Sequence, residues 1–258
     1  MINSFIENHS PHMVQKRGVV IVKLLRQAFV FILISVLAGA VFFSLLRPTG
    51  LAVFSPEEVT AQVLIIDAGH GGLDGGAVSS DGIIEAEINL EITKRLALLM
   101  LFCGQRVALT RADTQDLASP DALTVKERKV SDLKNRVAAV NSASNAVLIS
   151  IHQNSIADHP EVHGAQAFYN LVDTGNLLAE HVQQRLNQDH NNGNEKSVRL
   201  IDSSIYLMNK INCPAVLVEC GFLSNKAEAR ALCTADCQKG LALAIAAGYL
   251  SYISEVSK

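Results

Sequence analysis

The sequence predicts a single α/β domain with a central, mostly parallel twisted β-sheet flanked by helices on both faces, and an apolar helix before it. Short runs rich in valine, isoleucine and leucine alternate with longer stretches whose apolar residues recur at helical spacing. The short runs are almost continuously apolar, as expected of strands covered on both faces. A third observation, a run of 20 residues without a charge, predicts the helix before the domain.

The uncharged run covers residues 27–46, and at about 1.5 Å per residue it is long enough to span about 30 Å of hydrocarbon. Residues 1–26 carry four basic side chains against one acidic one. The positive-inside bias therefore predicts a cytoplasmic segment 1–26 and an extracytoplasmic chain after Arg47. We expect an uncleaved signal-anchor. Signal peptide cleavage near Ala38-Gly39-Ala40 and a buried core helix are the two alternatives.

Residues 47–60 predict a linker, and residues 61–258 are long enough for one catalytic domain with a substantial core. The formal net charge of the chain is -3, and residues 1–47 carry five basic side chains against one acidic one, a net +4 that leaves -7 for the rest of the chain. The domain is therefore acidic, which argues against a nucleic-acid partner, because binding phosphates needs concentrated Lys and Arg side chains. The absence of Trp and an aromatic content of 5 % also argue against a base-stacking platform.

The predicted elements of the domain follow from the alternation of these patterns. Apolar residues at Ile88, Ile92, Leu96 and Leu99 have helical spacing after a strand and a glycine-rich loop. Strands are predicted at 63–67, 106–110, 146–151, 165–169, 205–208 and 215–219, and helices at 85–102, 127–142, 176–188, 226–232 and 238–254.

Polar side chains follow three of these strands. His70 comes after the first strand, His152 after the third, and Glu219 at the end of the last. Glu85 begins the first helix, which runs back antiparallel to its strand, so the start of this helix faces the same rim. Because ligands of open α/β sheets bind beyond the carboxyl ends of the strands, we expect these four residues to converge there.

Two neutral imidazoles and one carboxylate are a ligand set that catalytic zinc uses, with the fourth position left to water. The second carboxylate is then free to act as the general base. The spacing alone leaves open whether Glu85 or Glu219 has that role. A thiolate zinc site is disfavoured because the sequence contains no C-x-x-C pair.

The glycine-rich loop has a competing interpretation, a phosphate cradle at the start of the first helix. Neither a G-x-G-x-x-G motif in the required position nor a G-x-x-x-x-G-K-[ST] motif is present. Asp74, Asp81 and Glu85 would also repel an anion. We therefore expect the glycines to allow tight turns around a metal ligand.

Several motifs, taken together, resemble the zinc-dependent N-acetylmuramoyl-L-alanine amidases, in order from about Val63 to Ser254. The quoted stretches are IDAGHGGLDGGA at 66–77, Glu85, LTR at 109–111, SIHQN at 150–154 and VECGFLSN at 218–225. Within that family, ERKVSDLKNR at 127–136 and GAQAFYN at 164–170 resemble the spore-cortex, germination-specific amidases of the CwlD type.

This resemblance implies that His70, Glu85 and His152 bind one Zn²⁺ per chain and that Glu219 is the catalytic carboxylate. It also implies the reaction, hydrolysis of the amide between the lactyl group of N-acetylmuramic acid and L-alanine of the stem peptide in peptidoglycan. The likeness to spore-cortex enzymes further implies a role in muramic-δ-lactam formation, with a separate deacetylase.

Three further residues are candidates for substrate binding. Gln153 and Asn154 are expected to orient substrate amides or else to bond the backbone at the end of their strand. Arg111 is expected to pair with a substrate carboxylate, or alternatively to neutralise Asp67 or Asp113.

Two questions about partners and function stay open at this point. The segment between Arg111 and Glu127 is too short for a dedicated autoinhibitory helix, but an activating protein partner is still compatible with the sequence. The alternatives to an amidase are a zinc peptidase acting on stem peptides and a non-catalytic, membrane-anchored wall-binding protein.

Overall fold

The structure, a computed structural model, describes residues 62–258, so the predicted cytoplasmic segment, signal-anchor and linker at 1–60 lie outside the described residues. Within 62–258, no helix has both the length and the apolarity needed to cross a membrane. The strands are β1 Val63–Ala68, β2 Arg106–Leu109, β3 Ala146–Asn154, β4 Gln166–Tyr169, β5 Arg199–Leu200 and β6 Ala215–Phe222. The helices are α1 Glu85–Phe102, α2 Val125–Ser142, α3 Gly175–Asp189, α4 Tyr206–Lys210, α5 Lys226–Leu232 and α6 Ala235–Val256.

The strands form one mixed sheet in the order β2-β1-β3-β6-β4-β5. The first four strands in this order are parallel to one another, whereas β4 is antiparallel to β6 and β5 is parallel to β4. The sheet is therefore mostly parallel, as predicted, but it is mixed, because β4 pairs with β6 in the antiparallel direction. The physical reason is the connection at 155–165, which contains no helix to carry the chain back across the sheet before β4 begins.

Helices cover both faces of the sheet, as predicted. One core cluster contains Leu64, Ile66, Ile149 and Val218 from alternate strand positions, packed under α1, α3 and α6. The other cluster contains the intervening strand residues, including Leu148, under α2 and α4. This alternation fixes which strand-end side chains point toward each face.

One predicted strand is wrong, because residues 205–208 begin the short helix α4, Tyr206–Lys210. A four-residue apolar run cannot be distinguished from a buried helical turn by its periodicity. The two-residue edge strand β5 was not predicted. The first helix, by contrast, has the predicted bounds of 85–102.

Side-chain caps explain where two other helices begin. The Thr124 hydroxyl accepts from the Glu127 amide while the Glu127 carboxylate accepts from the Thr124 amide, which is a capping box at the start of α2. The Asn225 side chain accepts from the Glu228 amide at the start of α5. The first of these caps orients the helix that forms one wall of the site described next.

Candidate active site

A cavity of about 400 Å³ lies at the carboxyl ends of β1, β3 and β6. The four residues predicted to converge, His70, Glu85, His152 and Glu219, all line it. One part of the wall is formed by α2, with Lys129, Leu133 and Arg136, and another part by the segment from Ser204 to Met208. The cavity is thus where the strand-end rule for α/β sheets places a ligand.

Three of the four residues form a cluster whose ligand atoms all lie within 4.8 Å of one another, namely His70, Glu85 and His152. Glu85 Oε1 is 3.3 Å from His70 Nε2 and 3.0 Å from His152 Nδ1. The two imidazole rings meet edge to face with their centroids 5.1 Å apart. Two imidazoles and a carboxylate at this separation are a donor set that fits a zinc ion.

The Glu85 carboxylate is buried and held by several donors. Its Oε2 accepts from the Ala77 amide at 2.8 Å, and its Oε1 accepts from the Gln153 amide at 3.1 Å and the Asn89 side chain at 3.3 Å. Burial raises the pKa of Glu85, but hydrogen bonds from His152 and His70 outweigh it and hold the pKa far below its usual range. Glu85 is therefore kept as a carboxylate.

His70 is fixed from its other side by Asp74, whose Oδ2 lies 3.0 Å from His70 Nδ1. This contact leaves Nε2 facing Glu85, an arrangement typical of histidine ligands to metals. Burial lowers the pKa of His70, but the hydrogen bonds to Asp74 and Glu85 raise it to about 9. A metal ion binding at Nε2 would have to displace that proton.

Glycines allow the backbone to approach this cluster closely. A Cβ atom at Gly69 would lie 2.3 Å from the His152 ring, and one at Gly76 would lie 2.5 Å from Glu85 Oε2. Gly76 also has a φ of +72°, which favours glycine. The glycine-rich loop thus makes room for the His–Glu–His cluster. This agrees with the prediction that its glycines allow tight turns around a metal ligand.

The fourth residue, Glu219, is half-buried and pairs in register with His152 across β3 and β6. Its Oε2 atom is shielded from solvent and has no hydrogen-bond partner among the described residues. Burial of the carboxyl group raises the pKa of Glu219 to about 7, and the nearby Glu85 charge adds to the rise. A carboxylate with a free oxygen and this pKa can accept a proton near neutral pH.

Comparison with known proteins identifies the family. The family model described as N-acetylmuramoyl-L-alanine amidase matches residues 64–250. The chain belongs to this family. The resemblance predicted from the sequence motifs is therefore confirmed, and the protein is an N-acetylmuramoyl-L-alanine amidase, an enzyme that acts on peptidoglycan.

Relatives of this amidase include a germination-specific amidase, in agreement with the resemblance to that type of enzyme. The germination-specific N-acetylmuramoyl-L-alanine amidase of Bacillus subtilis is 34% identical over 198 residues, which are 76% of this chain and 82% of that protein. The CwlD amidase of Clostridioides difficile, solved in complex with the GerS lipoprotein, has a TM-score of 0.72 and 35% identity, over 75% of this chain and 98% of that one. The amidase AmiC2 of Nostoc punctiforme has a TM-score of 0.62 and 29% identity, over 75% and 97% of the two chains.

The loop that carries His70 in this amidase is held by a buried arginine that was not predicted from the sequence. Arg136 of α2 is 1% exposed and forms ion pairs with Asp67 and Asp132. It also donates to the carbonyl oxygens of Ala68 at 2.8 Å and His70 at 2.7 Å. Asp132 and Arg136 are four residues apart in the sequence, which is one helical turn. This spacing could have indicated that the two side chains pair on one face of α2.

Arg111 lies behind the same loop and does not line the cavity. Its guanidinium donates to the carbonyl oxygens of Ala68 at 2.9 Å, Gly69 at 3.0 Å and Ala86 at 2.8 Å. The side chain is buried, and burial lowers the pKa of Arg111 to about 10. In this conformation Arg111 supports the backbone around His70, so the structure does not bring it to the place predicted for substrate contact.

The other two predicted substrate-binding residues, Gln153 and Asn154, end β3 and have different surroundings. Gln153 is buried, lines the cavity and donates to Asn89 at 3.1 Å, while its Oε1 has no partner among the described residues. Asn154 does not line the cavity, and its side-chain oxygen accepts from the Ser155 amide at 2.7 Å. The structure therefore brings Gln153, but not Asn154, to the cluster of His70, Glu85 and His152.

Proposed function

We propose that this amidase hydrolyses the amide between the lactyl group of N-acetylmuramic acid and L-alanine of the stem peptide, with one zinc ion bound by His70, Glu85 and His152. Glu219 is the catalytic carboxylate. The observation that carries the proposal is the free, solvent-shielded Oε2 of Glu219 beside three ligand atoms within 4.8 Å of one another. The carbonyl group of a substrate amide would reach these residues through the cavity.

The His–Glu–His cluster supports zinc as the cofactor through the chemistry of its donors. The set of two imidazoles and one carboxylate leaves room for a further ligand, as catalytic zinc sites do. The chemistry that zinc supplies when bound is polarisation of a carbonyl group and acidification of water. Asp74 orients His70 for this role, and the Asn89, Ala77 and Gln153 donors orient Glu85.

Glu219 moves the protons of the reaction in this mechanism. Its carboxylate takes a proton from the attacking water and passes it to the nitrogen of the departing L-alanine. Its free Oε2 is available for that proton because no described residue donates to it. Glu85 is less suited to this role, because its oxygens already accept from Ala77, Gln153 and Asn89.

The similarity to the Bacillus subtilis germination-specific amidase supports a role in spore cortex maturation. Removal of the stem peptide frees the lactyl carboxyl group of muramic acid, which is the group that a δ-lactam requires. Closure of the lactam also needs a free amino group on the sugar, so a separate deacetylase must act on the same residue.

The proposal places the catalytic domain outside the cytoplasmic membrane, held by a signal-anchor at 27–46. Peptidoglycan, the substrate of the family, lies on that side. The solved CwlD of Clostridioides difficile is in complex with a lipoprotein, which supports an extracytoplasmic protein partner for this amidase as well.

Digestion of purified peptidoglycan by the wild type and by a Glu219→Ala variant, with products identified by mass, tests the reaction. We expect the wild type to release free stem peptides and leave glycan strands intact, and the variant to release almost none. Glu161→Ala, which removes an exposed glutamate outside the cavity, is the matched control and should behave as the wild type. Release of single terminal amino acids would instead identify a zinc peptidase.

Metal content tests the ligand assignment separately. We expect the purified wild type and Glu219→Ala to contain one zinc ion per chain and His70→Ala to contain almost none, because His70 is one of the three proposed ligands and Glu219 is not. Full metal content and full activity in both variants would show that the proposed site is wrong.

A further inference from the structure

Helix α1 ends in an exposed apolar stripe. Leu98, Leu101 and Phe102 lie three and four residues apart on one face and are 58%, 55% and 92% exposed. One to two turns earlier, the same face carries two charged residues, Glu91 and Arg95, which form an ion pair at 2.7 Å. The exposed face of α1 therefore changes from charged to apolar toward its carboxyl end.

The apolar stripe lies at the end of the sheet opposite the cavity. A short turn after Phe102 leads into β2, whose first residue, Arg106, pairs with Val63 at the start of β1. The described chain begins one residue earlier, at Gln62, whose side chain accepts from the Tyr249 hydroxyl at 3.3 Å. The stripe is thus beside the point where the residues that precede the domain enter it.

Two other exposed apolar side chains lie at this end of the sheet. Leu171 is 84% exposed and follows β4, whose last residue, Tyr169, pairs with Val216 near the start of β6. Val256 is 41% exposed in the last turn of α6, after Tyr249. We call the five residues at this end the basal apolar surface; they are Leu98, Leu101, Phe102, Leu171 and Val256.

The sequence before the domain limits how far this surface can be from a bilayer. The predicted signal-anchor ends at residue 46, so residues 47–61 form the connection. Fifteen residues can span at most about 50 Å, even when fully extended. Such a tether raises the effective concentration of lipid at the end of the domain to which it is attached, and this favours a bilayer as the occupant.

We propose that the basal apolar surface inserts into the headgroup region of the membrane that holds the signal-anchor. This inference rests on the anchoring in the proposed function. An apolar tip with charged residues one turn above it is the arrangement that suits an interface between hydrocarbon and water. The end of α1, with Phe102, enters the interface, and the pair of Glu91 and Arg95 stays in water.

The orientation has a consequence for the reaction. Glu85 and Phe102 are the first and last residues of α1, and at 1.5 Å per residue they are about 25 Å apart along the helix axis. With Phe102 at the bilayer, the His–Glu–His cluster is held about 25 Å above the membrane. The cavity then opens away from the membrane. The enzyme would thus face the peptidoglycan rather than the lipid surface.

Tryptophan fluorescence of the full chain in vesicles tests this orientation, because the sequence contains no other Trp. We would reconstitute Phe102→Trp in vesicles of phosphatidylethanolamine and phosphatidylglycerol, with and without brominated phosphatidylcholine as a quencher. The matched control is Leu123→Trp, because Leu123 is 85% exposed and lies just before α2, at the cavity end. Both side chains are exposed, so neither substitution should disturb the core.

We expect the Phe102→Trp protein to lose most of its emission to the brominated lipid and to emit at a shorter wavelength than the control. The Leu123→Trp protein should keep its emission. Equal emission of the two proteins, or a response of Phe102→Trp only to an added partner protein, would overturn lipid contact at this surface.

Two further measurements separate this inference from the proposed function. Flotation of the vesicles tests the anchor, and failure to float would overturn both the anchor and the lipid contact. Release of stem peptides from solubilised peptidoglycan by the same proteins tests the hydrolysis. Normal release together with unquenched Phe102→Trp would leave the amidase reaction intact and reject only the orientation.

Discussion

Glu85 and Glu219 are the same residue type in the same cavity, yet their surroundings differ. Glu85 is buried under three hydrogen-bond donors and two imidazoles, and its pKa is lowered. Glu219 has an oxygen without a partner among the described residues, and burial raises its pKa to about 7. The surroundings of Glu85 on α1 thus keep its carboxylate ionised, whereas the surroundings of Glu219 on β6 allow its carboxylate to take up a proton.

This difference shows how an active site can assign two chemically identical groups to two roles. Donors from the loop, the helix and β3 converge on Glu85, which supports its proposed role as a metal ligand. The lack of donors around Glu219 supports its proposed role as a base. The assignment therefore depends on which hydrogen bonds each carboxylate receives.

The largest expected effect comes from exchanging each glutamate for its neutral isostere. Glu85→Gln should lose both zinc and activity, because the amide removes a charged ligand. Glu219→Gln should keep its zinc but hydrolyse peptidoglycan about 10²–10⁴-fold more slowly, as expected for loss of a general base. Metal content and release of stem peptides would be measured side by side. Equal zinc content in the two variants would contradict the assignment of Glu85 as a metal ligand and Glu219 as the base.

A second prediction concerns the arginine that holds the His70 loop on the Glu85 side. Arg136→Met should lower the free energy of unfolding by about 3–5 kcal/mol, because it leaves the buried carboxylate of Asp67 without its ion pair. Arg230→Met is the matched control. It removes an exposed ion pair to Asp81, and we expect a loss of less than about 1 kcal/mol. Urea unfolding of both variants would measure this, and similar losses would contradict a special role for Arg136.

A smaller effect is expected at Asp74, which orients the ring of His70. Asp74→Asn should weaken zinc binding about 10–100-fold, as expected when the hydrogen-bond partner of a metal-binding histidine is replaced. Asp81→Asn, at an exposed aspartate outside the cavity, should leave the zinc affinity unchanged. Competition with a chromogenic zinc chelator would measure both affinities. An unchanged affinity in Asp74→Asn would mean that the rest of the loop alone orients His70.

The alternation of elements and the convergence of His70, Glu85, His152 and Glu219 could be predicted because they depend on local patterns. Apolar spacing defined α1, and a general property of α/β sheets placed the residues at strand ends on one rim. The reversal of β4 and the short helix α4 could not be predicted in this way. Both depend on how a few residues pair or pack with parts of the chain that are distant in sequence.

The interactions around the loop that carries His70 were missed for the same reason. Arg136 contacts Asp67 and the carbonyl oxygens of Ala68 and His70, all more than 60 residues away in the sequence. Arg111 was expected to contact substrate or to neutralise a nearby aspartate, but its donors are occupied by backbone carbonyl oxygens, among them those of Gly69 and Ala86. A charged residue after a strand does not reveal by itself whether its side chain points inward or toward a ligand.

The sequence by itself determined most of the elements and their order, the family and the four residues that meet at the cavity, because each depends on nearby residues or a recognisable motif. Only the tertiary structure decided how the two glutamates differ and which arginine holds the His70 loop. Burial and hydrogen bonding are set by groups that folding brings together from distant parts of the chain.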